Sequence, residues 1–368
     1  MLSPNNSNAV SIMVGGKTHD HWESYDVDSD LLTPADAWHV TLGLKNKELP
    51  SHVKVWDEAQ VKVGQDLVMT GRIDTIEHDV EDGKRTLSIT GRDYAGILID
   101  CPAPVFVARQ ITLEEIMAKV VKPLGVKKIR IDADKMLVRK KINIEPGDRA
   151  WDALQNAAEA NGLFPWFAPD GTLIVGGPDY STPPVANLTM RFDGKGNNCE
   201  SIRLEQSCIN QFSEVTVLGQ AYGDEKETGK HNINASYQDK SVGFYRPQIV
   251  TDHESDSQAV AQARARKLVA DGRLSAFSLV IKVKGHRTSS GVLWSPGQRV
   301  SVFSEPHGID GVYFLMGRTF SGGRDVPTTT TLRLKEDGVW TLDAHPHNRT
   351  HRRGKNSLPA MEIVEVNS

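Results

Sequence analysis

Two short stretches of the sequence contain residue types that carry out chemistry in other proteins. Gly16-Lys17-Thr18 resembles the end of a phosphate-binding loop, but that motif needs a glycine five residues before Gly16, where Ser11 stands. We therefore predict a hairpin turn at Gly15-Gly16. His253-Glu254 begins like the metal-binding helix of zinc peptidases, but the second histidine of that motif would fall at Ser257. Neither stretch predicts a catalytic site.

A third stretch is acidic and contains two histidines. Five carboxylates surround His19 and His21 and could be drawn as metal ligands: Asp20, Glu23, Asp26, Asp28 and Asp30. They alternate with Trp22, Tyr25 and Val27, so a strand with one solvated face is the better interpretation. No GxSxG motif occurs and no GxGxxG follows a strand pattern. The sequence predicts no catalytic residue, no cofactor and no metal site.

Length and composition restrict the class of protein. The 368 residues are enough for two to four domains, each with its own core. Three cysteines without a CxxC pair argue against a disulfide framework and against a zinc site. A net charge of -4 gives no global basic field for nucleic-acid binding. We expect a soluble protein, because the sequence has neither a signal peptide nor an apolar run of about 18 residues.

The periodicity predicts a β-rich α+β chain. Short strands separated by turn residues fill the two ends, which indicates two small antiparallel β-barrel domains with an α+β domain between them. We expect the following segments: a flexible N-terminus at 1–8, a first barrel at 9–102, the α+β domain at 103–180, a second barrel at 185–335 that a loop and helix interrupt at 223–273, and an extension at 336–368. The basic stretch at 345–355 is a flexible tail or a tail that docks on DNA or an acidic partner.

The α+β domain has the clearest local signals. Asp148 is a good N-cap, and Gly162 can take the left-handed conformation that ends a helix. Pro169-Asp170-Gly171 then predicts a turn between two strands. Thr112 and Glu115 form a capping box for an earlier helix. Two helix-and-strand units are therefore expected in this domain.

Three motifs together resemble a known family. Gly91-Arg92-Asp93 follows a strand pattern and precedes an apolar run, Trp151 follows Glu145-Pro146-Gly147-Asp148, and Trp294-Ser295-Pro296-Gly297 precedes a later strand. In this order, over nearly the whole chain, they are similar to the baseplate hub proteins of Mu-like contractile-tailed phages. These hubs include relatives of the late control protein D, and related hubs occur in type VI secretion spikes.

The resemblance implies a homotrimer in which two barrels per chain alternate in a pseudo-sixfold ring around a channel. Such a hub joins the sixfold tail tube to the threefold spike. Its implied partners are the spike, tube and baseplate proteins, with the tape-measure protein and DNA in the channel only transiently. The implied location is the host cytoplasm during assembly and the baseplate of the virion tail afterwards.

In this family the motif residues have structural roles, which we expect here for Gly91, Arg92, Asp93, Trp151, Trp294, Pro296 and Gly297. The resemblance implies no enzyme activity. Two alternatives remain open from the sequence. One is a tail-tip protein that degrades or binds the cell wall, and the other is a hub component of a type VI secretion spike.

Overall fold

The structure is a computed structural model that describes residues 7–43, 53–104, 112–132, 147–160, 162–221, 230–252, 255, 258–340 and 361–362. The N-terminal segment at 1–6, His253-Glu254 and the basic stretch at 345–355 lie outside these residues. Within them, strands greatly outnumber helices, as the β-rich α+β prediction requires. The strands form three sheets, of which the largest has 13 strands.

The first β unit covers the described residues from 7 to 93. Its strands are β1 Val10–Val14, β2 Lys17–His19, β3 Ser24–Asp30, β4 Ala37–Gly43, β5 Glu58–Val63, β6 Asp66–Glu81 and β7 Lys84–Asp93. The β1–β2 turn is the predicted hairpin, with Val14 paired to Lys17 and both Gly15 and Gly16 at positive φ. The sequence Val53-Lys54-Val55-Trp56 has the pattern of a strand, and that prediction was wrong, since the segment forms a turn in which Trp56 has φ 75°.

The second β unit covers 187–206 and 277–336. Its strands are β11 Asn187–Met190, β12 Ser201–Gln206, β16 Phe277–Lys284, β17 Arg299–Ser304, β18 Ile309–Gly323 and β19 Thr329–Glu336, with a 3₁₀ turn at Glu305–His307. The strand β18 is long enough to have two neighbours on one edge. Its first half pairs with β17, and its second half pairs with β3 of the first unit.

The two β units repeat one strand order. The first reads β3-β4-β7-β6-β5-β1 across the sheet, and the second reads β12-β16-β19-β18-β17-β11. Strands taken in chain order within each unit fall at matching positions. The pairings match in direction as well, except that β1 is antiparallel to β5 whereas β11 is parallel to β17. In each unit a bulge interrupts the pairing of the long strand, between Ile73 and Thr75 in β6 and between Leu315 and Gly317 in β18.

The sheets of the single chain do not close into the predicted barrels. At the end of the first unit, β3 pairs with β18 and not with β1, so the two units form one continuous sheet in the described residues. Their buried residues likewise form a single core, in which Val27 of the first unit and Phe320 of the second are both fully buried. The sequence pattern gave the strands but could not show which edges pair, because pairing depends on non-local contacts.

The α+β unit covers the described residues from 95 to 177. It contains α1 Ala95–Asp100, α2 Leu113–Ile116, a π-helical turn Met117–Val121, a 3₁₀ turn Lys122–Leu124, β8 Ile129–Ile131, α3 Ala150–Ala160, β9 Phe164–Phe167 and β10 Leu173–Gly176, and the short strand β20 Met361–Glu362 pairs with β8. The capping box of Thr112 and Glu115 is present as predicted. Gly162 ends α3 at φ 68°, and Gly171 at φ 80° lies in the predicted turn between β9 and β10.

An inserted unit covers 214–276 between β12 and β16. It has β13 Glu214–Ala221, β14 Lys230–Gln238, β15 Pro247–Thr251 and α4 Gln258–Ala276, and its own small core under the helix. The polar residues at 222–240 predict an exposed loop, and that prediction was wrong over β14, which pairs with β13. Gly272 also predicts the end of the following helix, and that prediction was wrong, since α4 continues to Ala276. A Cβ at Gly272 would lie 2.5 Å from the carbonyl oxygen of Asn210, so glycine permits close packing here.

Candidate assembly interface

The contact between the two β units is a strand ladder. Seven residue pairs join β3 to β18 in antiparallel register, from Gly317 opposite Asp30 to Gly323 opposite Ser24. Backbone pairing of this length fixes both the position and the register of one unit on the other, because a slip by one residue would turn every inward side chain outward. The ladder is therefore the feature that makes one sheet of two units.

Three aspartates of β3 form side-chain contacts across this ladder, namely Asp26, Asp28 and Asp30. The carboxylate of Asp26 accepts a hydrogen bond from Ser321 at 2.6 Å, and that of Asp28 accepts one from Thr319 at 2.6 Å. Arg333 on β19 donates to Asp28 at 2.8 Å and to Asp30 at 2.7 Å. Only 13% of the Asp30 side chain is exposed. The predicted strand with one solvated face is confirmed in pattern, because Tyr25 and Val27 are buried, Asp26 is exposed and the Asp28 side chain is 40% exposed. The sequence did not show that a neighbouring strand supplies hydrogen-bond partners on this face.

A buried cation lies directly under the ladder. The Arg318 side chain is 2% exposed, its guanidinium carbon lies 3.9 Å from the centre of the Phe320 ring, and it donates to the carbonyl of Val27 at 2.8 Å. Burial lowers the pKa of Arg318 to about 10. The pKa of His286, whose ring lies 4.5 Å from Phe320, is lowered to about 3, mainly by burial and also by the nearby arginine charge. His286 is thus held neutral.

Below Arg318 is a cavity of about 210 Å³ where the two β units meet the α+β unit. Two carboxyls line it, Asp93, which is buried, and Asp36, which is partly buried. Asp36 accepts hydrogen bonds from the Ser29 hydroxyl and from the Asp30 amide, and burial raises its pKa to about 6. Asp93 accepts from the Ala95 amide at 3.0 Å, and burial together with the Asp36 charge raises its pKa. The pair therefore keeps a proton to higher pH than exposed carboxyls would.

The first family motif lies at the junction of the first β unit with α1. A Cβ at Gly91 would lie 2.5 Å from the Trp38 ring, so only glycine fits there. Arg92 forms ion pairs at 2.6 Å with Asp74 and with Asp100, which ties the long strand β6 to the end of α1. These two carboxylates raise the pKa of Arg92.

The other motif residues lie in separate places. Trp151 is buried in the α+β core, and its indole donates to Gln155 at 3.0 Å. Trp294 is buried in the shared β core. Pro296 lines the cavity together with Asp93, and Gly297 takes φ 90° in the turn before β17. The structure thus brings only Asp93 and Pro296 to a common site, and structural roles for the set remain a prediction.

The contacts of the junction join parts of the chain to one another, through the β3–β18 ladder and the buried Arg318. The described residues contain no group of three or more histidine, cysteine or acidic side chains that could hold a metal ion. None of the helices found in them is long and apolar enough to cross a membrane. Sequence reasoning missed Arg318 and Arg333 altogether. The signal that could have indicated these arginines is the run of aspartates at every second residue of β3. If another strand lies beside β3, these carboxylates need cations on the neighbouring strands.

Four models of phage tail protein domains match most of the chain. Residues 9–93 match the N-terminal domain of Mu phage baseplate assembly protein GpP-like proteins, and 95–177 match the second domain of baseplate hub protein gp44-like proteins. Residues 211–269 match the third domain of tail protein NMB1110-like proteins, and 271–339 match a tail protein C-terminal domain. The chain is thus a phage tail protein by class.

Individual relatives give the same result over the full length. The tail protein from Neisseria meningitidis MC58 is 43% identical, with a TM-score of 0.81 over 92% of this chain and 99% of that one. The baseplate hub protein gp44 of Escherichia phage Mu is 22% identical over 97% of this chain and 95% of its own length. The chain therefore belongs to the family of baseplate hub proteins of Mu-like phages and prophages.

Two further structures share the fold. The 43 kDa tail protein of prophage MuSo2 from Shewanella oneidensis is 22% identical, with a TM-score of 0.79 over 92% of this chain and 100% of that one. A component of the type VI secretion system of E. coli, the c3393 protein, is 11% identical, with a TM-score of 0.53 over 90% of this chain and 78% of that one. The fold therefore extends to type VI secretion.

Proposed function

We propose that this chain is the structural hub of a contractile tail, a homotrimer whose six β units form a pseudo-sixfold ring around a central channel. The ring joins the sixfold tail tube to the threefold spike. One observation carries the proposal, namely that the two β units of the chain repeat one strand order. A chain with two similar units can occupy two neighbouring positions of a sixfold arrangement, and three such chains complete it.

The junction between the units supports the same proposal. In a ring, the two units of one chain need a fixed angle to each other, because closure fails if the angle varies. The strand ladder and the shared core provide a rigid junction of this kind. The open sheet edges of the single chain can then be covered by neighbouring copies, and the barrel-like closure expected from the sequence is a property of the ring and not of the chain.

The partners follow from this position in the tail. We propose contacts with spike, tube and baseplate proteins, and only transient contact of the tape-measure protein and DNA with the channel. A net charge of -4 is suited to passage, because a basic channel would retain DNA. The hub acts by assembly and not by catalysis. It assembles in the host cytoplasm and is then part of the tail baseplate.

The oligomeric state tests the proposal. The purified full chain is expected to have three times the chain mass in analytical ultracentrifugation, and negative-stain images should show rings with an open centre. A monomer or dimer across the micromolar range, both alone and with the spike protein of the same tail, would contradict the proposed ring. Rings with a closed centre would contradict the channel.

A further inference from the structure

Two strand edges of the chain are open in the part that the structure describes. The second half of β6, from Thr75 to Glu81, pairs with β7 on one side only. The strand β12 pairs with β16 on one side only. Open edges of this length are places where another chain can add a strand.

The internal repeat shows what belongs at both edges. Because the bulges of β6 and β18 match, Thr75–Glu81 corresponds to Gly317–Gly323, which is the part of β18 that pairs with β3. In the same alignment β16 corresponds to β4. Because β12 pairs with β16 and β3 pairs with β4, β12 corresponds to β3. Within the chain, the edges of β3 and β18 pair with each other. The corresponding edges of β12 and β6 have no partner strand in the described residues.

From this correspondence we infer that β12 of one copy pairs antiparallel with the second half of β6 of the next copy, and that this ladder is the contact that closes the ring. The inference rests on the proposed trimer and names its interface. Transferring the β3–β18 register places Val80 opposite Ile202, Asp79 opposite Arg203, and His78 opposite Leu204. Each pair of neighbouring β units in the ring is then joined by an equivalent ladder. It is β3–β18 within a chain and β12–β6 between two chains.

The exposure of the inward-facing side chains fits a missing neighbour. On β3, which has its partner strand, Tyr25 and Val27 are buried. Their counterparts on β12, Ile202 and Leu204, touch the same core but are only partly buried. On β6, Val80 is 59% exposed. Placing Val80 against Ile202 would cover both apolar side chains at once.

The outward-facing side chains place one opposite-charged pair in direct register. The end of β6 carries Glu77, Asp79 and Glu81, all exposed, whereas the β12 side offers Arg203 opposite Asp79. Lys282, the neighbour of Ser201, lies near the place of Glu81 in this register, although it already lies 3.9 Å from Glu200 in the chain. One like-charged pair results, Glu77 opposite Glu205. Its repulsion is reduced by Arg203, which already lies 3.3 Å from Glu205 in the chain.

Cysteine pairs test the register. In a background with the three native cysteines changed to serine, tagged Val80→Cys and untagged Ile202→Cys chains are co-expressed and oxidised. Adjacent antiparallel pairs alternate between close and wide spacing, so Asp79→Cys with Arg203→Cys is tested as well. We expect a disulfide that joins one tagged to one untagged chain in at least one combination. Val80→Cys with Phe192→Cys, also at exposed positions, is the matched control and should give none.

Charge reversal gives an independent measurement. Asp79→Arg and Arg203→Asp should each weaken the trimer at least tenfold in its dissociation midpoint, and the double variant should recover most of that loss. Asp310→Arg, at an exposed position on β18 away from both edges, should leave the midpoint unchanged.

The outcomes separate this inference from the ring itself. A trimer that gives no disulfide in either combination, or whose single charge reversals have no effect, overturns the β6–β12 contact and leaves the ring proposal in place. A chain that stays monomeric, alone and with its spike, contradicts the ring and the contact together. Disulfides found in the control pair as well would overturn the register, because they would show contacts without positional specificity.

Discussion

Phe320 is the residue through which the shared core of the two β units can be tested. Its side chain is fully buried, pairs in register with Val27 of the first unit, and lies under the Arg318 guanidinium at 3.9 Å. Removing a buried phenylalanine ring costs about 3–5 kcal/mol. A desolvated cation–π contact contributes about 2 kcal/mol, so we expect Phe320→Ala to lie at the upper end of that range.

Native-state hydrogen exchange measures where this loss appears. If the two units share one core, Phe320→Ala should lower the opening free energy of the first-unit strands β4 and β7 by nearly as much as that of β16 and β19 in the second unit. Phe192→Ala, at a side chain that is 76% exposed, is the control and should change neither by more than about 0.5 kcal/mol.

An effect confined to the second unit would refute the argument. It would mean that the β3–β18 ladder joins two separately stable domains, as the sequence predicted, and that the core is continuous only in geometry. A chain of this size need not unfold in one step, which is why local opening is a better measure than one melting temperature.

Two further predictions concern single side chains. The pKa of His286 is lowered to about 3 in the folded chain, whereas an unfolded histidine has a pKa of about 6.5. The unfolded chain therefore takes up a proton first as the pH falls, and the free energy of unfolding decreases between about pH 6.5 and pH 3 by up to about 5 kcal/mol. The stability deficit of His286→Gln in urea unfolding should therefore narrow between pH 7 and pH 4, and a constant deficit would contradict it. Gly272→Ala should lower stability by about 1–3 kcal/mol, since its Cβ meets the Asn210 carbonyl. Gly243→Ala, with no atom within 4 Å, should be neutral in the same thermal melts, and equal effects would refute the packing argument.

The predictions that succeeded concern features that residues close together in sequence decide. The capping box at Thr112, the left-handed glycines at 162 and 171, and the Gly15-Gly16 hairpin all depend on residues within a few positions of one another. Backbone conformation and short-range hydrogen bonds decide these features, and both can be read from residue types. Their outcome did not depend on the rest of the chain.

Predictions that depend on packing were less successful. Gly272 looked like a helix end but lies inside α4, because the space left by its missing side chain is filled by a distant loop. The polar strand β14 looked like a loop because it is the edge of a small sheet and has few apolar residues to mark it. In both cases the deciding contact is with another segment of the chain, the loop at Asn210 for Gly272 and the strand β13 for β14.

The sequence by itself determined the β-rich class, the family and the approximate places of α2, α3 and α4, whereas α1 at Ala95–Asp100 was not expected. The aspartate row on β3 was also visible there, but its role was decided only when β18 came to lie beside it and Arg333 reached Asp28 and Asp30. The joining of the two units was likewise decided by tertiary structure, since the β3–β18 ladder pairs residues about 300 positions apart, as from Ser24 to Gly323. Local residue types predict where a strand forms, whereas tertiary contacts decide which strand pairs with it.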